Sequence, residues 1–277
     1  MSICFKIHTI VEWIANIDPV AFRLWFFKIH WYALSYIAGI SFVYWYLGKV
    51  GKYLPLHKEL LESLLSWAVL GAIIGGRAVY VLVYNPDFYF QFPLEIIKIW
   101  HGGMSFHGGF IGSITCTFAV CKKRKIAFAS LLDLCACSIP LGLFLGRLTN
   151  LINGELYGRV TNSCIGIVFP RSGDMLPRHP SQLYEALFEG LIPLILFNVL
   201  LRITNIKQHP GMIACAFCVW YGTARCVIEF FREPDIQIGS VAFGWLTMGM
   251  LLSVPMILIP LIVFVVLVYK NVKYKTA

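Results

Sequence analysis

Charged residues are scarce in this chain. Lys, Arg, Asp and Glu together make up 13% of its 277 residues, while hydrophobic residues make up 58%. This balance, with a mean hydropathy of +0.74, excludes an ordinary soluble domain. The sequence also lacks internal repeats, low-complexity tracts and nucleotide-binding motifs. The composition that remains is that of an integral membrane protein.

A paired-cysteine framework is lacking as well. Most of the nine cysteines fall within apolar runs, where a cysteine serves as a small hydrophobic residue. Cys215 and Cys218 have the spacing of a metal or redox motif, but no second pair accompanies them. We therefore predict neither a metal site nor a redox pair.

Residues 1–30 lack the uninterrupted apolar region of a secretory leader. They carry Glu12, Asp18, Arg23 and Lys28, so we predict no cleavable signal peptide. The same stretch is rich in aromatic residues, which suit the boundary between membrane and water. We predict that it forms an N-terminal arm lying along the membrane surface.

In contrast, the chain contains several long apolar runs. A bilayer core needs roughly 20 residues of helix, and seven runs approach that length. We predict an all-α polytopic membrane protein, a single integral domain of residues 1–277 with about seven transmembrane helices. The candidate spans are residues 32–47, 64–84, 106–121, 131–145, 183–201, 212–224 and 243–269.

Lysines and arginines are distributed differently about these spans. If the spans alternate in direction, most lysines fall on one side, which also holds the basic run 122–125 and the C-terminus. The positive-inside rule predicts that this side is cytoplasmic. Most arginines fall on the opposite side, where their planar donor groups suit phosphate or carboxylate. This excess indicates an anionic ligand such as a phospholipid headgroup, or else pairing with acidic residues on the same side.

The longest connection on that outer side runs over residues 147–182 and is rich in Gly, Pro, Asn and Arg. Connections of this length in compact proteins are commonly functional. We predict a small extracytoplasmic head there.

His107 is the first candidate for chemistry. It lies at the outer end of the third predicted span and is followed by two glycines. A histidine exchanges a proton near neutral pH, so it suits a general base, although many such residues are only hydrogen-bonded at the interface. Gly108 and Gly112 have the spacing of a small-residue helix contact. His101, in the same loop, is a weaker candidate.

Two further groups of polar residues accompany it. Arg147, Asn150 and Asn153 share a helical face if the fourth helix continues, and such a face suits a phosphodiester or glycerol hydroxyls. The alternative is a helix exit capped by Asn153 and by Gly154, where a turn is expected.

The second group follows the sixth predicted span. Its residues are three or four apart, which predicts one helical face that continues until Pro234 stops the helix. They could form an ion network that holds helices together, or hold an arginine toward a ligand. The members are Tyr221, Arg225, Glu229 and Arg232.

Several ordered motifs resemble one known family. The matching segments are HWY (30–32), GGR (75–77), SFHGGFIG (105–112), GRLTNLINGELYGR (146–159), RHPSQLYEALFEG (178–190) and YGTARCVIEFFREPD (221–235). Together they are similar to bacterial phosphatidylglycerol:prolipoprotein diacylglyceryl transferases. The departures are Thr149 where that family commonly has glycine, His101 where it commonly has an acid, and a short head between residues 160 and 178.

The resemblance implies a multi-pass enzyme of the bacterial inner membrane, with its active site toward the periplasm and its C-terminus in the cytoplasm. Such enzymes transfer the diacylglyceryl group of phosphatidylglycerol to the lipobox cysteine of a prolipoprotein, forming a thioether and releasing glycerol phosphate. The partners implied are phosphatidylglycerol, prolipoprotein signal peptides with a lipobox cysteine, and membrane lipids. No nucleic acid and no cofactor or metal is expected.

By this resemblance, His107, Arg147 and Arg225 are the predicted catalytic residues. Arg147 also belongs to the predicted substrate-binding set, whose other members come from the resemblance and from the two polar faces. These are Tyr32, Asn150, Asn153, Gly158, Tyr221, Glu229 and Arg232.

The expected chemistry is displacement at a primary carbon by sulfur. A free thiol ionises with a pKa of about 8.5, so a base or a positive field must assist it. We expect His107 to accept or orient the thiol proton while Arg147 and Arg225 hold the phosphodiester.

Two other classes of protein stay open at this point. A lipid flippase or small-solute transporter would place polar groups at both faces of the membrane, and Asp133 is the chief ionisable residue near the inner ends of the spans. A membrane scaffold would tolerate the loss of the arginines.

Overall fold

The computed structural model describes residues 11–203, 209–233, 240–242 and 246–275, and these are mainly helical. Each predicted span overlaps a helix. In the seventh span, however, residues 246–247 form a short strand, the helix begins only at Met248, and residues 243–245 lie outside the described residues. The helices are α1 (Trp31–Val50), α2 (Lys58–Val79), α3 (Pro86–Gln91), α4 (Phe106–Arg124), α5 (Phe128–Asn153), α6 (Ser181–Glu185), α7 (Ile192–Ile203), α8 (Met212–Ile228) and α9 (Met248–Lys275).

Irregular helical turns extend two of these helices. A π-helical turn, Tyr80–Tyr84, continues α2, and a second one, Ala186–Leu191, joins α6 to α7. Among the described residues, four helical segments are long and apolar enough to cross a membrane, and the shorter α8 is also apolar. The chain is therefore a helical polytopic membrane protein. The four segments are Lys58–Tyr84, Phe128–Asn153, Ser181–Ile203 and Gly249–Tyr269.

Short pairs of antiparallel strands accompany the helices. The all-α prediction did not include these strands. The first pair is a hairpin of β1 (Val20–Leu24) and β2 (Phe27–His30). The second joins β3 (Ile167–Val168) to β4 (Pro177–Arg178), and the third joins β5 (Ser240–Ala242) to β6 (Leu246–Thr247). All of them lie outside the long helices.

The chain divides into two compact units. One contains residues Tyr44–Leu131, and the other combines Met1–Val43 with Leu132–Ala277. We describe these two units one at a time, and the single integral domain of residues 1–277 stays a prediction.

In the unit of residues Tyr44–Leu131, helices α2 and α4 cross at glycines. A β-carbon at Gly71 would collide with the backbone of Gly112, and one at Gly75 would collide with the backbone of Gly108. Such small residues let two membrane helices approach until their backbones are in van der Waals contact. The structure confirms the predicted small-residue contact and places its partner surface on α2.

In the other unit, α5 continues further than predicted. The expected loop of residues 147–182 begins only after Asn153, because residues 147–153 are helical. Leu151, Thr149 and Asn150 are buried, so tertiary packing holds this polar-looking stretch in the helix. Gly154 then takes a φ of +63°, a left-handed conformation that commonly ends helices.

The head beyond Gly154 has a small core of its own. Ile167 and Phe169 are buried against Leu151, together with Val11 and Ala15 from the N-terminal arm. Part of the arm is therefore buried under the head instead of lying wholly along a surface. The β1–β2 hairpin differs, since its turn exposes 93% of Trp25. Residues 1–10 of the arm lie outside the described residues.

Asp133 has a structural role in the same unit. Its carboxylate is fully buried and accepts hydrogen bonds from the backbone N–H groups of Gly211 (2.6 Å) and Ala214 (2.8 Å). These groups lie at the start of α8, where backbone donors have no helical partner and the helix dipole favours an anion. Asp133 thus anchors the first turn of α8 to α5.

Candidate active site

The last turns of α5 present a polar face. Asn150 and Asn153 lie on it, as the spacing predicted, and both side-chain amides donate to Oε1 of Glu155, at 2.9 and 3.0 Å. Gln182, at the start of α6, donates to the backbone oxygen of Glu155 at 2.7 Å. Glu155 is therefore held at the turn, and the two asparagines converge on its carboxylate.

Arg147 lies on the same helix and contacts two glutamates. Its Nη2 is 2.9 Å from Oε2 of Glu189, and its Nε is 3.3 Å from the same oxygen. Its Nη1 is 3.3 Å from Oε2 of Glu185. Both carboxylates are fully buried, while 18% of the arginine side chain is exposed.

Arg225 reaches the same carboxylates from α8. Its Nη1 is 2.5 Å from Oε1 of Glu185 and 3.9 Å from Oε1 of Glu189. Its Nη2 is 2.6 Å from Oε2 of Glu229, one turn further along the chain. The predicted pairing of Arg225 with Glu229 is thus present in the structure.

Arg232 also contacts Glu185, although it lies beyond the helix. Its Nη1 is 3.3 Å from Oε1 of Glu185. Helix α8 ends at Ile228, earlier than the predicted stop at Pro234, which lies outside the described residues. Arg232 instead pairs with Gly158 in an isolated β-bridge. This bridge holds the Arg232 side chain near Glu185.

The three arginines and three glutamates form one buried arginine–glutamate cluster. Buried charges require such pairing, because an isolated charge in an apolar interior is very costly. All six residues have a partner of opposite charge within 4 Å. The members are Arg147, Arg225, Arg232, Glu185, Glu189 and Glu229.

Neither Glu185 nor Glu189 was among the predicted site residues. The available signal was the spacing of two acids four residues apart in an apolar segment, EALFE. Glu189 lies in the π-helical turn Ala186–Leu191, a geometry that is common at functional sites. A β-carbon at Gly190 would lie 2.6 Å from Cβ of Phe144, so glycine lets this turn approach α5.

Both predicted tyrosines interact with this cluster. Tyr221 interacts electrostatically with Glu189, Arg147 and Arg225. Tyr32, near the start of α1, interacts in the same way with Glu155 and Arg147. Predicted residues from α1, α5 and α8 are therefore brought together in one unit.

Gly158 is part of the head and leaves room for other segments. Its N–H donates to the backbone oxygen of His179 at 2.8 Å, and Nη1 of Arg178 donates to its carbonyl at 3.2 Å. A β-carbon at this position would lie 2.5 Å from the Phe231 oxygen. Gly158 thus lies between segments of the head, and its β-bridge aligns the segment that carries Arg232.

His107 belongs to the unit of residues Tyr44–Leu131. It lies exposed in the first turn of α4, and the side chain of the N-cap residue Ser105 accepts a hydrogen bond from the N–H of Gly108 at 3.3 Å. The N–H of Ser105 donates to the backbone oxygen of Gly76 at 2.9 Å. The turn that carries His107 is thus attached to α2.

Arg77 orders the loop that precedes this turn. It is buried, and its guanidinium donates to the backbone oxygens of Ile96 (2.7 Å), Gly102 (2.6 Å) and Gly103 (2.9 Å). The guanidinium of Arg77 is therefore used to bind the backbone of the loop.

The weaker candidate His101 lies in that loop. Its Nδ1 is 3.0 Å from Oε2 of Glu95. The hydrogen bond from Lys98, and then that from His101, hold the pKa of the Glu95 carboxyl below its usual range. His101 therefore takes part in a local ion-pair network.

Comparisons with known proteins agree with the motifs. Residues 19–266 match the family model of prolipoprotein diacylglyceryl transferase. A phosphatidylglycerol–prolipoprotein diacylglyceryl transferase of Anaplasma marginale (strain Florida) is 54% identical over 253 residues, covering 91% of this chain and 89% of the relative. Proteins of the same name from Ehrlichia ruminantium (strain Welgevonden) and Wolbachia pipientis wMel are 52% and 49% identical, covering 86% of this chain and 92% and 90% of their own. This chain belongs to the prolipoprotein diacylglyceryl transferase family.

Proposed function

We propose that this protein transfers the diacylglyceryl group of phosphatidylglycerol to the lipobox cysteine of a prolipoprotein, with the arginine–glutamate cluster as its lipid-phosphate site. The names of the relatives described above include both substrates, phosphatidylglycerol and prolipoprotein. The apolar helices and the family together indicate a protein of the bacterial inner membrane. The observation that carries the site assignment is the convergence of Arg147 and Arg225 on the buried Glu185.

The reaction makes one carbon–sulfur bond and breaks one carbon–oxygen bond. The cysteine sulfur attacks the primary carbon of the diacylglyceryl group, and the electron pair of the broken bond leaves with glycerol phosphate. Charge therefore develops on the departing phosphate oxygens. Fixed guanidinium groups in a water-poor site stabilise such charge without reorganising. Arg147 and Arg225 supply those groups in this proposal.

The thiol must lose its proton as the sulfur attacks. His107 accepts that proton, because an imidazole is basic enough near neutral pH and the residue is exposed in the first turn of α4. Asn150 and Asn153 bind the glycerol hydroxyls in the same proposal. Their amides already converge on Glu155, which keeps them oriented.

The orientation of the chain follows from its charges. The basic run 122–125 and the lysine-rich C-terminus favour the cytoplasmic side by the positive-inside rule. In this proposal the active site faces the periplasm and the C-terminus lies in the cytoplasm. Lipoprotein precursors would meet the enzyme on the periplasmic side.

A transfer assay tests the function against the transporter alternative. Purified protein is reconstituted with phosphatidylglycerol, and glycerol phosphate release is measured with a lipobox peptide and with a matched peptide whose cysteine is replaced by serine. The transferase releases glycerol phosphate only with the cysteine peptide. A flippase would move lipid without either peptide, and Asp133 offers it little support because its carboxylate is bound to the start of α8.

A further inference from the structure

The arginine–glutamate cluster has as many acids as bases. Three guanidinium groups face three carboxylates, so the fully ionised cluster has no net charge. A bound phosphodiester adds one negative charge to this buried group of residues. An added charge without a counter-ion is strongly disfavoured there. A bound lipid phosphate must therefore compete with the carboxylates for the same guanidinium donors.

The donors of Arg147 show which pair has to change. Its Nε and Nη2 form the side of the guanidinium that grips an oxyanion in two places, and both are directed at one oxygen of Glu189. Its Nη1 faces Glu185. The donor edge suited to a lipid phosphate is thus already occupied by a carboxylate.

Of the two carboxylates that contact Arg147, Glu189 has the weaker second contact. Its Oε1 accepts no hydrogen bond within the part of the chain that the structure describes. The nearest cationic donor to that oxygen is Nη1 of Arg225, at 3.9 Å. Glu185, in contrast, contacts three arginines. Of the two acids, Glu189 gives up fewer interactions when it releases Arg147.

We infer that Glu189 occupies the phosphate-binding edge of Arg147 in the lipid-free enzyme and competes with phosphatidylglycerol for it. When the lipid phosphate binds, Glu189 releases Arg147 and turns toward Arg225. Glu189 is then a residue that sets the affinity for the anionic lipid, and its competition also favours departure of the product phosphate. This inference rests on the proposed lipid site at Arg147.

The test is the Glu189→Gln enzyme in membranes that contain phosphatidylglycerol. Glutamine keeps the shape of the side chain and removes its charge, so the competition weakens. The KM for phosphatidylglycerol should fall by roughly tenfold, the order of one close charge pair. Glu189→Asp keeps the charge and should show no such fall. Glu233→Gln removes a charge that is paired with Arg178 at 3.2 Å, outside the cluster, and should keep the KM within about twofold of the wild type.

A purely structural role for Glu189 predicts a different result. If the acid only positions Arg147, Glu189→Gln raises the KM or leaves it unchanged and lowers kcat, and either pattern overturns the inference. Glu189→Met is made in parallel because a buried amide can disturb folding. If neither neutral variant folds alone, recovery of the folded state on adding phosphatidylglycerol, but not phosphatidylcholine, supports the inference. Failure to recover with phosphatidylglycerol overturns it.

The lipid site itself is tested separately with Arg147→Ala. If that variant keeps a normal KM for phosphatidylglycerol and normal turnover, the proposed site is wrong. If it loses lipid-dependent activity while Glu189→Gln retains the wild-type KM, the proposed site stands and only the competition by Glu189 is rejected.

Discussion

Oε1 of Glu185 lies 2.5 Å from Nη1 of Arg225, and the same carboxylate also contacts Arg147 and Arg232. One acid from α6 thereby joins an arginine from α5, one from α8 and one from the segment that follows α8. Glu185 thus connects three of the chain segments that carry predicted site residues.

Removal of this connection should destabilise the fold. Glu185→Ala leaves three guanidinium groups short of a buried partner, so we expect a loss of about 3 to 5 kcal/mol in the free energy of unfolding. Thermal unfolding in detergent measures the loss. Glu62→Ala, which removes an exposed acid 3.9 Å from Lys58, is the control and should change stability by less than about 0.5 kcal/mol. Equal stability of the two variants would contradict the connecting role of Glu185.

Loss of Arg147 should affect turnover more than folding. Arg147→Ala removes a donor to the developing phosphate charge, so we expect roughly a 100- to 1,000-fold loss of rate. The rate of peptide lipidation measures this effect, and the melting temperature shows whether the fold persists. Arg171→Ala is a useful control because Arg171, in the head, donates to the backbone oxygen of Ile152 in α5 at 2.6 Å and has no role in the cluster. Turnover near the wild-type rate by Arg147→Ala would reject its assignment.

The role of His107 can be read from the pH dependence of the rate. Only an unprotonated imidazole can accept a proton, so a general base at this position makes the rate depend on pH. His107→Gln should lower the rate by roughly 100- to 10,000-fold and change the shape of the pH profile. A variant with full activity and an unchanged pH profile would exclude the base role. A slower variant that keeps the wild-type pH profile would assign His107 to orienting the thiol.

The glycine crossing of α2 and α4 predicts a position-specific effect. A β-carbon at Gly75 would lie 3.0 Å from Cα of Gly112 and still closer to the Gly108 oxygen, so Gly75→Ala should force the helices apart. We expect a loss of about 1 to 3 kcal/mol, as in other overpacked sites. Gly146→Ala is the matched control, because a β-carbon there meets no atom within 4 Å. Comparable melting temperatures for the two variants would be inconsistent with close packing at Gly75.

Asp133 should contribute to stability through α8. Asp133→Ala removes the acceptor for the N–H groups of Gly211 and Ala214, and buried hydrogen bonds to charged groups contribute about 1.5 to 3 kcal/mol. We expect a lower melting temperature, with lipidation activity retained at temperatures where the variant is folded. A variant that is as stable as the wild type but unable to bind lipid would instead point to a transport or substrate role.

Much of the helical architecture could be predicted from the sequence, because apolar length and polar breaks are local properties. The contact surface at Gly108 and Gly112 was predicted for the same reason, since their spacing is local. The end of α5 was predicted too early. Its polar residues suggested a loop, whereas burial of Leu151 and Thr149 keeps them helical. The end of α8 was predicted too late, because the spacing of Arg232 resembles that of a helix and a β-bridge produces its approach instead.

The sequence by itself determined the membrane class, the helical segments, the family and the set of arginines, because composition, hydrophobic length and ordered motifs are written along the chain. Only the tertiary structure decided how the charges pair. Glu185 and Glu189 meet arginines more than 35 residues away, and glycine packing at Gly190 sets how closely those segments approach. The energy of an ion pair decreases with the distance between its charges. The contact between Glu189 and Arg147 therefore depends on helix packing, which no local sequence pattern predicts.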